Sequence, residues 1–256
     1  MTGKVIIDKQ CATSLKDVCK VAHSGGAIQP VMLKEGIKTV KVRGLEYVET
    51  KYGKPRRFRP WLGDAFSFLY DYIMKNSIFP KKFGGDIIRH VEILSQELED
   101  VKDKRILELA AGSGSASDFL PSGNSYTGTD ISAGLLRKAV KRFREADFRE
   151  PRFYVATADD LPFADDSFDI CVCMLSLNFF NDLKAVLAEI RRVLVRGGVF
   201  YCSVPVPERK KTTSPIRGKL YSEEELEEYC SLFDLCLETL PVENGALLYF
   251  KAIHHV

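Results

Sequence analysis

The stretch ILELAAGSGSASDFL, residues 106–120, sets a carboxylate, Glu108, at the end of an apolar run and follows it directly with small residues. Gly112 and Gly114 give this turn backbone freedom and let a ligand approach the main chain closely. Asp130 closes the next apolar run, in YTGTDIS. A carboxylate accepts two hydroxyls at once, so an acid at that place suits the vicinal diol of a ribose. Glu108 suits a ligand that brings a positive charge, an ammonium or a sulfonium, and would repel a pyrophosphate. A dinucleotide turn wants GxGxxG, and here Ser117 stands at the third glycine position. A GxG alone is weak evidence, because tight structural turns also use glycine. Asp130 at the end of the following run is what strengthens it.

The elements that would position these residues are legible around them. Strand candidates are Arg105–Leu109, Ser125–Asp130, Arg152–Ala156, Phe168–Met174, Gly198–Val204, Leu235–Leu240 and Ala246–Ile253. Leu135, Leu136, Ala139, Val140 and Phe143 have the spacing of a helix burying one face, as do Leu183, Val186, Leu187, Ile190, Val193 and Leu194. Ser222 and Glu225 form a capping box ahead of a later helix. This alternation predicts an α/β fold: a Rossmann-like, mainly parallel, seven-stranded sheet with helices on both faces.

Ahead of it, residues 61–99 read as a helical lid in two pieces, parted by SIFPKKFGG with its Pro80, Gly84 and Gly85. Residues 1–60 read as a small N-terminal appendage whose KTVKVRGLEYVETKYGK suggests a hairpin, followed by a basic linker, KPRRFRPW. Residues 100–256 are the ligand-binding domain. The lone His90 in the lid reads first as a structural histidine.

The 256 residues are 45% hydrophobic and 28% charged, with a net charge of +2, which argues neither for nor against nucleic acid. No apolar run reaches the ~18–20 residues of a membrane span, and MTGKVIIDKQ lacks the apolar core of a secretory signal. The seven cysteines form no closely spaced framework and no paired CxxC, so no metal site is expected. Cys171 and Cys173 share one strand face and read as core thiols. A reducing cytoplasm is the expected location.

ELAAGSG, TGTDIS and the run ATADDLPFADDSFDICVCMLSLNFFNDLKAVLAEIRRVLVRGGVFYCSVP together resemble the class I S-adenosylmethionine-dependent methyltransferases, over residues 104 to 253 and in order. The similarity is greatest to the group that includes the ubiquinone- and menaquinone-type enzymes. It implies S-adenosylmethionine as cofactor and S-adenosylhomocysteine as product. It gives Glu108 the cofactor's ammonium, and Ala110, Gly112 and Gly114 the close backbone approach, with Ala110 where glycine is commoner. It gives Asp130 the ribose and Ile131 the adenine face. Thr157, Ala158 and Asp159 stand where the adenine edge is read, and Cys173 and Met174 where the cofactor meets the substrate. Tyr70, in FLYDYIM, His90 and Asn178 are the candidates for catalysis; the quinone-type relatives often have histidine near the position of Asn178.

A sulfonium is already activated, so the protein has to align nucleophile, methyl and sulfur and exclude water. No compelling base stands out, and Tyr70, Asp71 and His90 are the candidates if one is needed. The aromatic FSFLYDY favours a small-molecule or lipid-like acceptor. The alternatives are an RNA or protein methyltransferase using KPRRFR and RKK, and a binding module without turnover, against which the intact Glu108, Gly112, Gly114 and Asp130 argue. Nucleic acid is disfavoured by the lack of an Asn-Pro-Pro-aromatic signature after the fourth strand.

Overall fold

A computed structural model of the protein describes residues 30–58 and 69–255, with the side chain of Tyr70 excepted. The N-terminal 29 residues, the end of the basic linker and residues 61–68 of the expected lid lie outside the described residues, as does any role of the Tyr70 side chain.

The strands are β1 (Thr39–Val42), β2 (Leu45–Val48), β3 (Arg105–Leu109), β4 (Ser125–Asp130), β5 (Arg152–Val155), β6 (Phe168–Met174), β7 (Leu194–Pro205), β8 (Leu235–Thr239) and β9 (Leu247–His254). They form one sheet in the order β1-β2-β5-β4-β3-β6-β7-β9-β8. The five pairings from β2 to β7 are parallel, and β1–β2, β7–β9 and β8–β9 are antiparallel. The expected class holds, but the sheet has nine strands rather than seven. The two extra strands are the N-terminal hairpin, which adds to the free edge of β5 through Glu46↔Tyr154 and Tyr47↔Val155.

Alternation along the strands divides the core. Ile106, Tyr126, Phe153, Val172 and Tyr249 face one side, under α2 (Ile87–Leu98) and α3 (Ala133–Glu145). Leu107, Leu109, Cys171, Cys173, Phe200 and Phe250 face the other, under α4 (Leu183–Val193) and α5 (Glu223–Ser231). Fully burying one such apolar side chain contributes about 1.5–3 kcal/mol. The capping box is formed as the sequence predicts: Ser222 Oγ accepts from Glu225 N and the Glu225 carboxylate from Ser222 N.

The lid differs in detail. α1 (Tyr70–Ile73) runs straight into wide π turns over Met74–Phe83, with Pro80 inside them, so the break comes only at Gly84 and Gly85. Proline lacks the N–H of a regular helical turn, which wider turns accommodate. Gly85 is required by contact, since a Cβ there would lie 2.5 Å from Asn244 Oδ1. Asn244 holds the start of α2 to the sheet: its Oδ1 accepts from Asp86 N at 2.7 Å and its Nδ2 donates to Asp86 O at 2.8 Å.

Two motifs within the family-like run do structural work. On α4, Glu189 accepts from Leu161 N, and Arg192 donates to Phe163 O and pairs with Asp165 and Glu189. EIRR therefore fixes LPF. The acid of SFD, Asp169, makes a two-pronged pair with Arg105 and also accepts its backbone N–H, tying β6 to β3.

Candidate functional site

In a parallel sheet the carboxyl ends of the strands, beside the point where chain order reverses, form the binding crevice. Here that point lies between β3 and β6, with β4 on the other side of β3. Two cavities open there, one of about 750 Å³ and one of about 270 Å³, and they share Ala110 and Ser176 in their walls. A third cavity, of about 790 Å³, lies at the opposite, amino ends of β3, β4 and β5, around Lys102, Asn124 and Arg149. It is remote from the glycine turn.

The larger of the adjoining cavities lies between the lid and the glycine turn. Glu108, Ala110, Gly112, Met174 and Leu175 form its floor, and Met74, Phe79, His90, Val91 and Phe119 its apolar walls. Glu108 points into it because strand alternation sets it on the face of Ile106 and Val172. The residue is 3% exposed. Burial pushes its carboxyl up to about 8, with Asp130 adding to the rise and the hydrogen bond from Tyr126 and the charge of Arg142 opposing it. The Tyr126 hydroxyl donates to Glu108 Oε2. Among the described residues no cation pairs with this acid.

The glycine turn is built from positive φ angles. Ala110 has φ 52°, Gly112 53° and Gly114 84°, and Leu175, across the cavity at the end of β6, has 60°. A left-handed conformation costs a non-glycine residue roughly 1–2 kcal/mol, and such strain gathers at functional sites. The two glycines serve different ends. A Cβ at Gly114 would strike Ala139 of α3 at 2.7 Å, so this glycine lets helix and turn pack. A Cβ at Gly112 would meet nothing closer than 3.8 Å, so its room is open to a ligand.

Asp130, at the end of β4, ties the turn to α3. Its Oδ2 accepts from Gly112 N at 2.9 Å and its Oδ1 from Ser132 N at 2.7 Å. The helix cap itself is Ser132, which accepts from Leu135 N. A carboxylate oxygen can accept more than one hydrogen bond, so these backbone bonds are compatible with holding hydroxyls as well. Asp130, Ile131, Thr157, Ala158 and Asp159 line the smaller cavity together with Phe179. Ile131 and Phe179 are 40% and 57% exposed there, an apolar pair suited to a flat ring.

The lid is clipped to the turn: Ser113 Oγ donates to Asp71 Oδ1 at 2.6 Å, and Arg142 reaches both Asp71 and Asp118. Sequence reasoning missed Ser113 and Arg142, whose partners lie far away in the chain. His90 is 6% exposed, and burial lowers it to about 4. Its Nδ1 is 2.8 Å from the Tyr249 hydroxyl.

Two expected residues stand elsewhere. Cys173 is fully buried among Cys171, Cys202 and Phe200 in the core on the opposite face and lines neither cavity, because strand alternation sends it away from Met174. Asn178 also lines neither cavity; its Nδ2 donates to Arg217 O at 2.7 Å and its carbonyl accepts from Lys219 N. Its Oδ1 is buried without a partner among the described residues.

Residues 107–202 match a family described as a methyltransferase domain. The demethylmenaquinone methyltransferase of Thermotoga maritima is 32% identical over 173 residues, 66% of this chain and 70% of that protein. A demethylmenaquinone methyltransferase of Chlorobaculum parvum is 32% identical over 128 residues, so the chain spans about half of that relative, 49% of each. Among solved structures, a protein of Pyrococcus horikoshii OT3 has a TM-score of 0.57 at 23% identity, over 73% of this chain and 99% of that one, a likeness of fold. Among the described residues no helix is long and apolar enough to cross a membrane.

Proposed function

The chain belongs to the class I S-adenosylmethionine-dependent methyltransferases, and we propose that it holds S-adenosylmethionine across the two adjoining cavities and methylates an apolar, lipid-like acceptor in the larger one. The observation that carries this reading is Glu108, a sealed carboxyl in a cavity wall with no cation of its own among the described residues. The chemistry of the site fits the cofactor. Glu108 would take the ammonium, Gly112 offers the open space beside its backbone, and Asp130 would take the ribose diol. Ile131 would cover one face of the adenine, and Thr157, Ala158 and Asp159 its edge. Met174 would border the methyl-bearing end. Of the described residues, 69–99 are the lid of this site, and 100–255 its cofactor domain.

When bound, the cofactor supplies a methyl group on a sulfonium, whose sulfur departs as a neutral thioether. The chain's own part is to orient and to keep water out. Phe79, Phe119, Val91 and Met74 give the acceptor apolar walls, and the Ser113–Asp71 clip holds the lid over them. An acceptor that arrives ionised needs no base, and Asp71 is committed to Ser113 and Arg142. The Thermotoga maritima relative is named for demethylmenaquinone. A ring system of that kind, apolar with oxygen at its edge, matches the character of these walls.

An RNA or protein acceptor is less well supported. Arg56 of the basic linker is paired with Asp160, and Arg209 of the basic loop with Glu223, so neither side chain is free for phosphate. Calorimetry with S-adenosylmethionine, S-adenosylhomocysteine and NADH tests the reading. Binding of either sulfur nucleoside, with NADH far weaker, is expected; tight NADH binding and no response to the other two would overturn it.

A further inference from the structure

His90 lines the larger cavity at the apolar end, away from Asp130, and its ring is caged on three sides. Ring centroids lie 5.3 Å away at Phe79, 5.6 Å at Tyr249 and 6.5 Å at Phe119. Which imidazole nitrogen carries the proton follows from a chain of hydrogen bonds behind the ring.

That chain starts at a fixed point. The main chain of Asp86 presents its N–H to Asn244 Oδ1 and its C=O to Asn244 Nδ2, so the amide of Asn244 has one orientation. The second hydrogen of Nδ2 goes to the Tyr249 hydroxyl at 3.0 Å. Tyr249 accepts there, and donating its own hydrogen to His90 Nδ1, 2.8 Å away, satisfies every group of the chain. An acceptor at Nδ1 requires the proton of the neutral ring to sit on Nε2. Burial holds the ring neutral, lowering its pKa to about 4.

We infer that His90 is a fixed hydrogen-bond donor, its Nε2–H offered to an anionic oxygen on the edge of the acceptor in the cavity, with Tyr249 and Asn244 as the residues that set its tautomer. This rests on the methyltransferase reading and sharpens it. A ring whose outward nitrogen already carries hydrogen takes no proton from a substrate. His90 is thereby removed from the list of bases, and the acceptor class narrows to apolar molecules bearing an enolate or phenolate oxygen. A neutral imidazole can act as such a donor where an imidazolium would donate its proton outright. The arrangement also balances charge: the methyl–sulfur bond breaks as the bond to the anionic acceptor forms, leaving a neutral thioether and a neutral product, and where the methyl lands on a ring carbon the hydrogen of that carbon passes to the ring oxygen.

Two measurements test it. Long-range ¹H–¹⁵N correlation spectra of the histidine-labelled, ligand-free protein at neutral pH should show His90 bare at Nδ1 and protonated at Nε2, the signal being identified by its loss in His90→Gln. A protonated Nδ1 overturns the proposal whatever the cofactor. In Tyr249→Phe the tautomer should become mixed; an unchanged tautomer would overturn the role of Tyr249. The second measurement is the affinity of 4-nitrophenolate for protein saturated with S-adenosylhomocysteine. His90→Leu should weaken it by about tenfold or more, the worth of one bond to a charged group. His90→Gln, which offers an amide N–H, should recover most of the loss. Equal affinity in the wild type and His90→Leu, or no affinity in the wild type, counts against the proposal. Absence of S-adenosylhomocysteine binding would instead strike the cofactor reading, while the tautomer spectrum still decides the donor.

Discussion

Tyr126 and Glu108, on neighbouring strands β4 and β3, share a hydrogen bond beneath the larger cavity, sealed from solvent and with no paired cation among the described residues. Burial raises Glu108 from an ordinary 4.5 to about 8. The folded protein therefore holds a proton that the unfolded chain has lost across that window, and the contribution of Glu108 to stability falls as pH rises through it. The slope is up to ~1.4 kcal/mol per pH unit. Denaturant unfolding of the ligand-free protein should show this loss, and Glu108→Gln should flatten it. The same variant should bind S-adenosylhomocysteine about ten- to a hundredfold more weakly, by loss of one charge-assisted bond. A Glu108→Gln protein with full affinity and an unaltered stability profile would refute the assignment.

His90 acts at the other end of the pH scale. Its folded-state value of about 4 lies below the ordinary 6.5. The unfolded chain takes up a proton first, so stability from this group is complete above 6.5 and is lost as pH falls towards 4. His90→Gln should remove that acid limb from the unfolding curve while leaving the alkaline limb due to Glu108. An unchanged acid limb would show that His90 does not bear it.

Gly112 and Gly114 should separate cleanly on substitution. Gly114→Ala forces a Cβ against Ala139 at 2.7 Å and should lower stability by about 1–3 kcal/mol, as overpacking does. Gly112→Ala meets open space, so its cost to the fold is the left-handed strain of roughly 1–2 kcal/mol that Ala110 already bears. Its larger effect should be on cofactor affinity. Melting temperature and calorimetry on both variants check this; a Gly112→Ala protein that binds normally would place the ligand elsewhere.

Asp130→Ala should cost both affinity and stability, because the same carboxylate would hold ribose and does hold Gly112 N and Ser132 N. Losing two charge-assisted acceptors predicts a fall in cofactor affinity of about two to four powers of ten. Thr157→Val, shape-conserving and able to lose one neutral bond, should cost about one power of ten or less. Affinity measured on protein shown to be folded separates the two effects; a folded Asp130→Ala protein of normal affinity would remove the ribose role.

Much of the fold and of the site is legible in the order of residues alone. Six of the seven expected strands have ends within two residues of those observed, because buried parallel strands are apolar runs bounded by turn residues. β7 starts earlier, at Leu194 rather than Gly198, because Leu194, which shares the apolar spacing of the preceding helix, pairs instead with Phe168 ahead of an irregular register. The face of Met174 and the opposite face of Cys173 follow from alternation alone, and the family resemblance misled where it grouped them. What the sequence could not disclose were partners distant in the chain: Ser113 with Asp71, Asn244 with Asp86, Tyr249 with His90, and EIRR beneath LPF. No local period records such meetings. The hairpin was readable; its place on the edge of β5 was not, for the same reason.

That place has a consequence for the order in which the molecule assembles. Lys34 N donates to Pro162 O, Ala164 N to Met32 O, and Glu46 and Tyr47 lie against Tyr154 and Val155. A ribosome makes β1 and β2 long before it makes their neighbour, so this hairpin emerges with its pairing edge bare. An isolated hairpin is marginal in water, and closing so long a loop is slow. These two strands are thus secured only after their later-made neighbour β5, and docking them also fastens the loop at Asp160 through Arg56. Completion of the wall of the smaller cavity therefore awaits the return of a segment made well before it.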